Sequence, residues 1–151
     1  MRIPAGSCAT YPLSAKPDIV TSAGGLSVFG SSSFQLQCVC SLPVPEKAQV
    51  RQFVMVGNVV KGTIQASLGG VRWNVPRQIT AYASLTMGPT TPYEVPDQKQ
   101  KKVVVNLPVT GAGSLLTDRI QTYVIEARFV GPAAVSLEEA LEIFYFEVYW
   151  D

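Results

Sequence analysis

Histidine is absent from all 151 residues. That removes imidazole acid–base catalysis, the Ser-His-Asp and Cys-His nucleophile arrangements, and His-based metal sites. Charge is scarce as well: only 15% of residues are Asp, Glu, Lys or Arg, against about 25% in an ordinary soluble domain. A surface so short of ions is either built from Ser, Thr, Gln and Gly or covered by something else. Neither sign dominates, with 12 basic and 11 acidic residues and a net charge of +1. A general electrostatic grip on nucleic acid or acidic membrane needs a clear surplus of Lys and Arg, so neither partner is expected. The one basic cluster, Lys99, Lys101 and Lys102, reads as a solvated loop leading into a strand.

Cysteine is nearly missing too. The three are Cys8, Cys38 and Cys40, an odd count with two separated by one residue, which is not a disulfide framework. On a strand Cys38 and Cys40 share a face and read as small buried hydrophobes. Zinc ligation would need pairs spaced by two to four residues, which the chain lacks, so no metal or cofactor is expected. No apolar run approaches the ~18 residues of a membrane span. Pro4, Gly6, Ser7, Thr10 and Pro12 interrupt the segment after Arg2, so no signal peptide is expected, and folding in a reducing cytoplasm follows.

What the chain does contain is β-structure signal. Residues 1–25 hold Pro4, Gly6, Pro12, Pro17, Gly24 and Gly25 and read as an extended arm. Ile3, Tyr11, Leu13, Ile19 and Val20 give that arm something to bury, on its own domain or a neighbour. Residues 26–151 then read as a single β-sandwich domain. Phe34, Leu36, Cys38, Cys40 and Leu42 alternate with polar residues, a period-2 pattern closed by Pro43 and Pro45.

Gln52 to Val60 is apolar on both faces, with Gly57 and Asn58 marking a bulge or tight hairpin. Gly69–Gly70 reads as a hairpin turn between Thr63–Leu68 and a strand carrying Val71, Trp73 and Val75. Beyond Pro76, Ile79, Ala81, Ala83, Leu85 and Met87 share one face, opposite Thr80, Tyr82, Ser84 and Thr86. Gly88 to Lys102 holds three prolines and reads as a long loop able to carry a recognition surface. Strands at Val103–Val109 and Tyr123–Phe129 follow, with Gly111–Ser114 as a turn.

The last segment is ambiguous on periodicity. Ser136 with Glu139 is a capping box, yet Ile143 to Trp150 is dense in β-formers. One helical turn and then a strand from about Leu141 to Trp150 is the expectation. The sum is about eight antiparallel strands in an all-β sandwich, a jelly roll for preference.

Paired carboxylates are the remaining route to catalysis. Glu126 and Glu147 are the two strand glutamates that would serve, with carboxyl groups about 5–9 Å apart across a cleft. Their plainer reading is a polar face and a cross-strand partner for Arg128. Gly111 and Gly113 are too close for a dinucleotide loop and have no βαβ unit around them. Hence no catalytic residue is expected. Trp73 is in phase with Val71 and Val75 as a core residue, whereas Trp150 is a surface candidate. The final strand is aromatic on both faces, so one must be covered from outside the core. Candidate interface residues are therefore Tyr11, Leu13, Tyr145, Tyr149 and Trp150.

The low-charge arm, the eight strands, the Pro-rich loop before a late strand and the aromatic–acidic end from Leu141 to Asp151 carry a resemblance. In these features the chain resembles the small single-jelly-roll coat and cement (decoration) proteins of icosahedral viruses and phages. That resemblance implies a structural subunit of a virion, made in a host cytoplasm, with itself and other shell proteins as partners. Coat proteins that package single-stranded RNA have a basic arm, and residues 1–25 carry only Arg2 and Lys16. The alternative reading is a non-catalytic sandwich that binds carbohydrate or a cell surface. It would require exposed aromatics beside Asn, Asp or Gln.

Overall fold

A computed structural model of the chain describes all residues except 23–24, 45–47, 73–77, 108–114, 117–121 and 135. The expectations for Trp73, Val75, Pro76, Val109 and the Gly111–Ser114 turn fall outside the described residues.

The described residues form thirteen strands: β1 (Arg2–Pro4), β2 (Ala9–Ser14), β3 (Asp18–Ser22), β4 (Gly25–Phe29), β5 (Phe34–Leu42), β6 (Gln49–Asn58) and β7 (Thr63–Arg72) come first. They are followed by β8 (Gln78–Met87), β9 (Tyr93–Val95), β10 (Gln100–Asn106), β11 (Leu115–Leu116), β12 (Thr122–Gly131) and β13 (Leu141–Trp150). One sheet runs β3-β4-β13-β6-β10-β9, with β1 on β13 and β11 on β6; the other runs β2-β5-β12-β7-β8. All pairings are antiparallel. From β5 onward the chain passes repeatedly between the sheets, as in a jelly-roll sandwich. The fold class expected from periodicity is the one found.

The core lies where the inward faces of β5, β6, β7, β8, β12 and β13 meet. Leu36, Phe53, Ile64, Leu68, Ile125, Phe129, Phe146 and Val148 are fully buried there. The alternation at Phe34, Leu36, Cys38, Cys40 and Leu42 places all five inside, as expected. Likewise the segment after Ser136 is one short 3-10 turn, Leu137–Glu139, followed by the strand Leu141–Trp150.

Residues 1–22 are extended and lie along the domain's own sheets. β1 pairs with β13, a 3-10 turn at Ala5–Ser7 crosses to the other sheet, β2 pairs with β5, and β3 returns to pair with β4. Proline and glycine kept these strands short, which is why their pairing left no periodic trace.

Four local expectations are corrected. Cys8 and Cys40 form a disulfide, with Cα atoms 4.7 Å apart, and Cys38 alone is free. The β2–β5 register sets Ala9 opposite Val39 and so brings Cys8 against Cys40, a long-range match that spacing does not reveal. Gly69 and Gly70 are not a turn. They lie inside β7, paired with Val124 and Tyr123.

Lys101 is no loop residue but is 1% exposed, and its ammonium donates to the carbonyls of Val59, Gly88 and Pro89 at 2.9–3.0 Å. The Tyr93 ring lies 4.8 Å from the same nitrogen. Burial lowers the pKa of Lys101, while these carbonyls satisfy its charge.

The fourth concerns β13. Leu141 and Ile143 face the core, but so do Phe146 and Val148, because the register shifts between Ile143 and Tyr145. Phe144 is the extra residue of a bulge. Gly57 pairs with Ile143 just before it, where a Cβ would strike the backbone carbonyl of Glu142.

Candidate functional site

On strands of period 2, every second residue of the five-stranded sheet must face away from the core. In β12 the outward residues include Glu126 and Arg128, set between buried Ile125, Ala127 and Phe129. Register carries each of them across the sheet. Arg128 lies between Gln37 of β5 and Gln65 of β7; Gln37 neighbours Tyr11 of β2, and Gln65 neighbours Thr86 of β8. One row of side chains therefore runs Tyr11, Gln37, Arg128, Gln65, Thr86. The next row, about 7 Å along the strands, runs Val39, Glu126, Ser67, Ser84.

All of these residues except Tyr11 and Val39 line an open cavity of about 320 Å³, together with Ala66, Leu85 and Ala127. Gln65, Ser84, Thr86 and Arg128 are exposed, while Gln37, Ser67 and Glu126 are half-buried. Ligand pockets are mostly apolar, with few polar groups. This one is as polar as it is apolar. It presents two carboxamides, three hydroxyls, a carboxylate and a guanidinium, supplying donors and acceptors in turn. Tyr11, 54% exposed on the edge strand, flanks the polar rows with an aromatic ring.

A second polar group lies on the outer face of the eight-stranded sheet. Arg2 donates to Glu147 at 3.1 Å, its guanidinium stacks 3.8 Å over the Tyr145 ring, and the Tyr149 hydroxyl also donates to Glu147. The Tyr149 hydroxyl, with help from Arg2, holds the Glu147 carboxyl below its ordinary range against the opposing effect of burial.

The one catalytic pairing the sequence offered, Glu126 with Glu147, is ruled out by this geometry. They occupy the outer faces of different sheets, with the core between them, and sheets pack about 10 Å apart. No cleft can place a sugar bond between them. No cluster of three metal-ligating side chains occurs among the described residues.

The five aromatic and apolar interface candidates are scattered. Tyr11 and Leu13 are exposed on β2; Tyr145 is half-buried under Arg2 and Tyr149 is exposed, both on the other sheet. Trp150 is partly buried and packs against the core in phase with Phe146 and Val148, not outward. Conversely, sequence reading left Gln65 and Ser67 unremarked and gave Gln37, Ser84 and Thr86 only as polar alternates. Their alternation was visible, but the adjacency of β5, β12, β7 and β8 was not.

The sequence matches no known protein family and no characterised protein. Solved structures do match along nearly the whole chain. One is the carbohydrate-binding module TmCBM61 in complex with β-1,4-galactotriose, 10% identical with a TM-score of 0.56, covering 99% of this chain and 92% of that one. A second belongs to a study of carbohydrate-binding modules of the β-sandwich superfamily, 10% identical with a TM-score of 0.57 over 97% of this chain. The chain spans 57% of that structure's length. A third is CsCBM6-3 from Clostridium stercorarium with cellobiose, 13% identical, TM-score 0.51, covering 98% of this chain and 92% of that one.

These likenesses establish a shared fold. They also overturn the resemblance to viral coat and cement proteins. The features that suggested it (low charge, an extended start, about eight long strands) belong to the sandwich itself and are common to both groups.

Proposed function

We propose that the chain is a non-catalytic carbohydrate-binding module whose ligand lies across the polar rows of the five-stranded sheet. The observation that carries this reading is the composition of the cavity. Seven hydrogen-bonding side chains from four adjacent strands converge on one open, shallow site. A sugar offers hydroxyls that both donate and accept, and the carboxamides of Gln37 and Gln65 can meet two at once. Tyr11 supplies a ring for the apolar face of a pyranose. The likeness to modules solved with β-1,4-galactotriose and cellobiose supports the same reading.

This takes the place of a shell subunit, and the partner becomes a glycan instead of another copy of the chain. The Cys8–Cys40 bond supports maturation in an oxidising compartment, where glycans are also met, instead of the reducing cytoplasm expected from cysteine count.

The test is binding to a panel of neutral and acidic oligosaccharides by titration calorimetry, with and without Gln37→Ala and Gln65→Ala together. Binding that falls at least ten-fold in the double variant, with an unchanged melting temperature, is the expected outcome. Equal binding by the double variant would move the site elsewhere on the sandwich.

A further inference from the structure

Resting on the carbohydrate reading of this same trough, we propose that its ligand carries carboxylates, as a uronate polymer does, and that Arg128 reads them. Two other guanidinium groups, both on the eight-stranded sheet, are committed to carboxylates. Arg2 is paired with Glu147 and Arg51 holds Asp151 with two bonds of 2.6 and 2.8 Å. Among the described residues Arg128 forms no ion pair, and the residues beside it across both strands are neutral, Gln37 and Gln65. It is exposed at the centre of the row, over the cavity.

A neutral sugar needs no such group. A planar carboxylate does, because the guanidinium fork meets both of its oxygens with parallel charge-assisted bonds. The flanking carboxamides can donate to the lone pairs that remain.

Glu126 fixes the orientation. It faces the same cavity about 7 Å along the strand, beside Ser67 and Ser84. Its charge repels an acid on that row, while its oxygens accept from sugar hydroxyls. The acidic group of the ligand is thereby directed to the Gln37–Arg128–Gln65 row and hydroxyls to the Glu126–Ser67–Ser84 row. The two rows impose one register on a polymer whose acidic and hydroxyl groups lie on different edges.

The experiment compares polygalacturonate, alginate and glucuronoxylan, each beside its carboxyl-reduced form, by calorimetry on the full chain. Chondroitin sulfate serves as a sulfated control. The proposal expects at least one uronate polymer to bind ten-fold or more tightly than its reduced form. Arg128→Gln should abolish that preference, and Arg128→Lys, which keeps the charge but not the fork, should retain only part of it.

Reduced forms that bind as tightly as the acids would overturn the proposal and leave the carbohydrate reading standing. A preference that survives in Arg128→Gln, or that goes to the sulfate ester over every uronate, overturns it too. If no glycan of either kind binds, the carbohydrate reading falls with it.

Discussion

Single residues in this fold settle questions that composition leaves open. Lys101 is a buried cation held by three carbonyl oxygens, of Val59 before β7 and of Gly88 and Pro89 after β8. Lys101→Met keeps the stem and removes the donors, leaving the buried Val59 carbonyl unsatisfied. The expected loss is on the order of 3 kcal/mol, seen as a lower urea midpoint with an unchanged slope. Glu147 and Glu142 make an opposed pair. The Glu147 carboxyl lies below its ordinary 4.5, so its contribution is complete above that pH and lost as the pH falls through the folded value. Glu142 is raised above 4.5 by burial, partly offset by Lys99, so there stability is gained as the pH falls through the folded value toward 4.5. Melting curves across pH 3–7 should show Glu147→Gln less stable than the parent at neutral pH and converging with it in acid. Glu142→Gln should be more stable at neutral pH and likewise converge. Cys38, its thiol pushed up to about 12 by burial, stays a core side chain and not a nucleophile.

At the scale of elements, legibility followed length. Seven of the strands read from periodicity correspond to β5, β6, β7, β8, β10, β12 and β13, of seven to ten residues each, whereas the one read at Val71 is the end of β7 and runs on beyond the described residues. Strands such as β1, β9 and β11, of two or three residues, have no room for a period and are defined by partners alone. The bulge at Phe144 was hidden for a related reason. Both phases of β13 are apolar, so nothing in the sequence marks where the inward set changes. The edge strand β2 joins the sheet through β5 alone and through the Cys8–Cys40 bond, which closes a loop across a separation of 32 residues. Cys8→Ala should lower stability by about 3–4 kcal/mol on the chain-entropy account, measured by denaturation without reductant. Glycan binding should weaken further than stability alone explains if Tyr11 is part of the site.

For the whole molecule, the sequence carried the fold class and hid the site. Alternation showed which residues of each strand are polar, and Gln37, Ser84 and Thr86 were among them. A candidate surface made of one residue from each of five strands depends on strand order, and order comes from pairings between residues far apart in the chain, as between Gln37 and Arg128. The likeness to shell proteins failed on the same point. Arm, charge and strand number describe any small sandwich, whereas the polar rows distinguish this one. The two sheets also divide their labour. The larger closes its outer face with ion pairs such as Arg2–Glu147 and Lys102–Glu94, while the smaller leaves Arg128, Gln65 and Thr86 open to solvent.

The sulfur link between Cys8 and Cys40 has a mechanical consequence. A polymer held against the five-stranded sheet and dragged by its far end pulls on whatever it touches, and Tyr11 stands on the outermost strand. A strand bonded along one side peels like tape, breaking one hydrogen bond at a time under small forces. Here the peel meets a covalent stop three residues from Tyr11, and tension passes into β5, which is gripped by neighbours on both sides. The weakest margin of the sheet is thus fastened where traction would first open it.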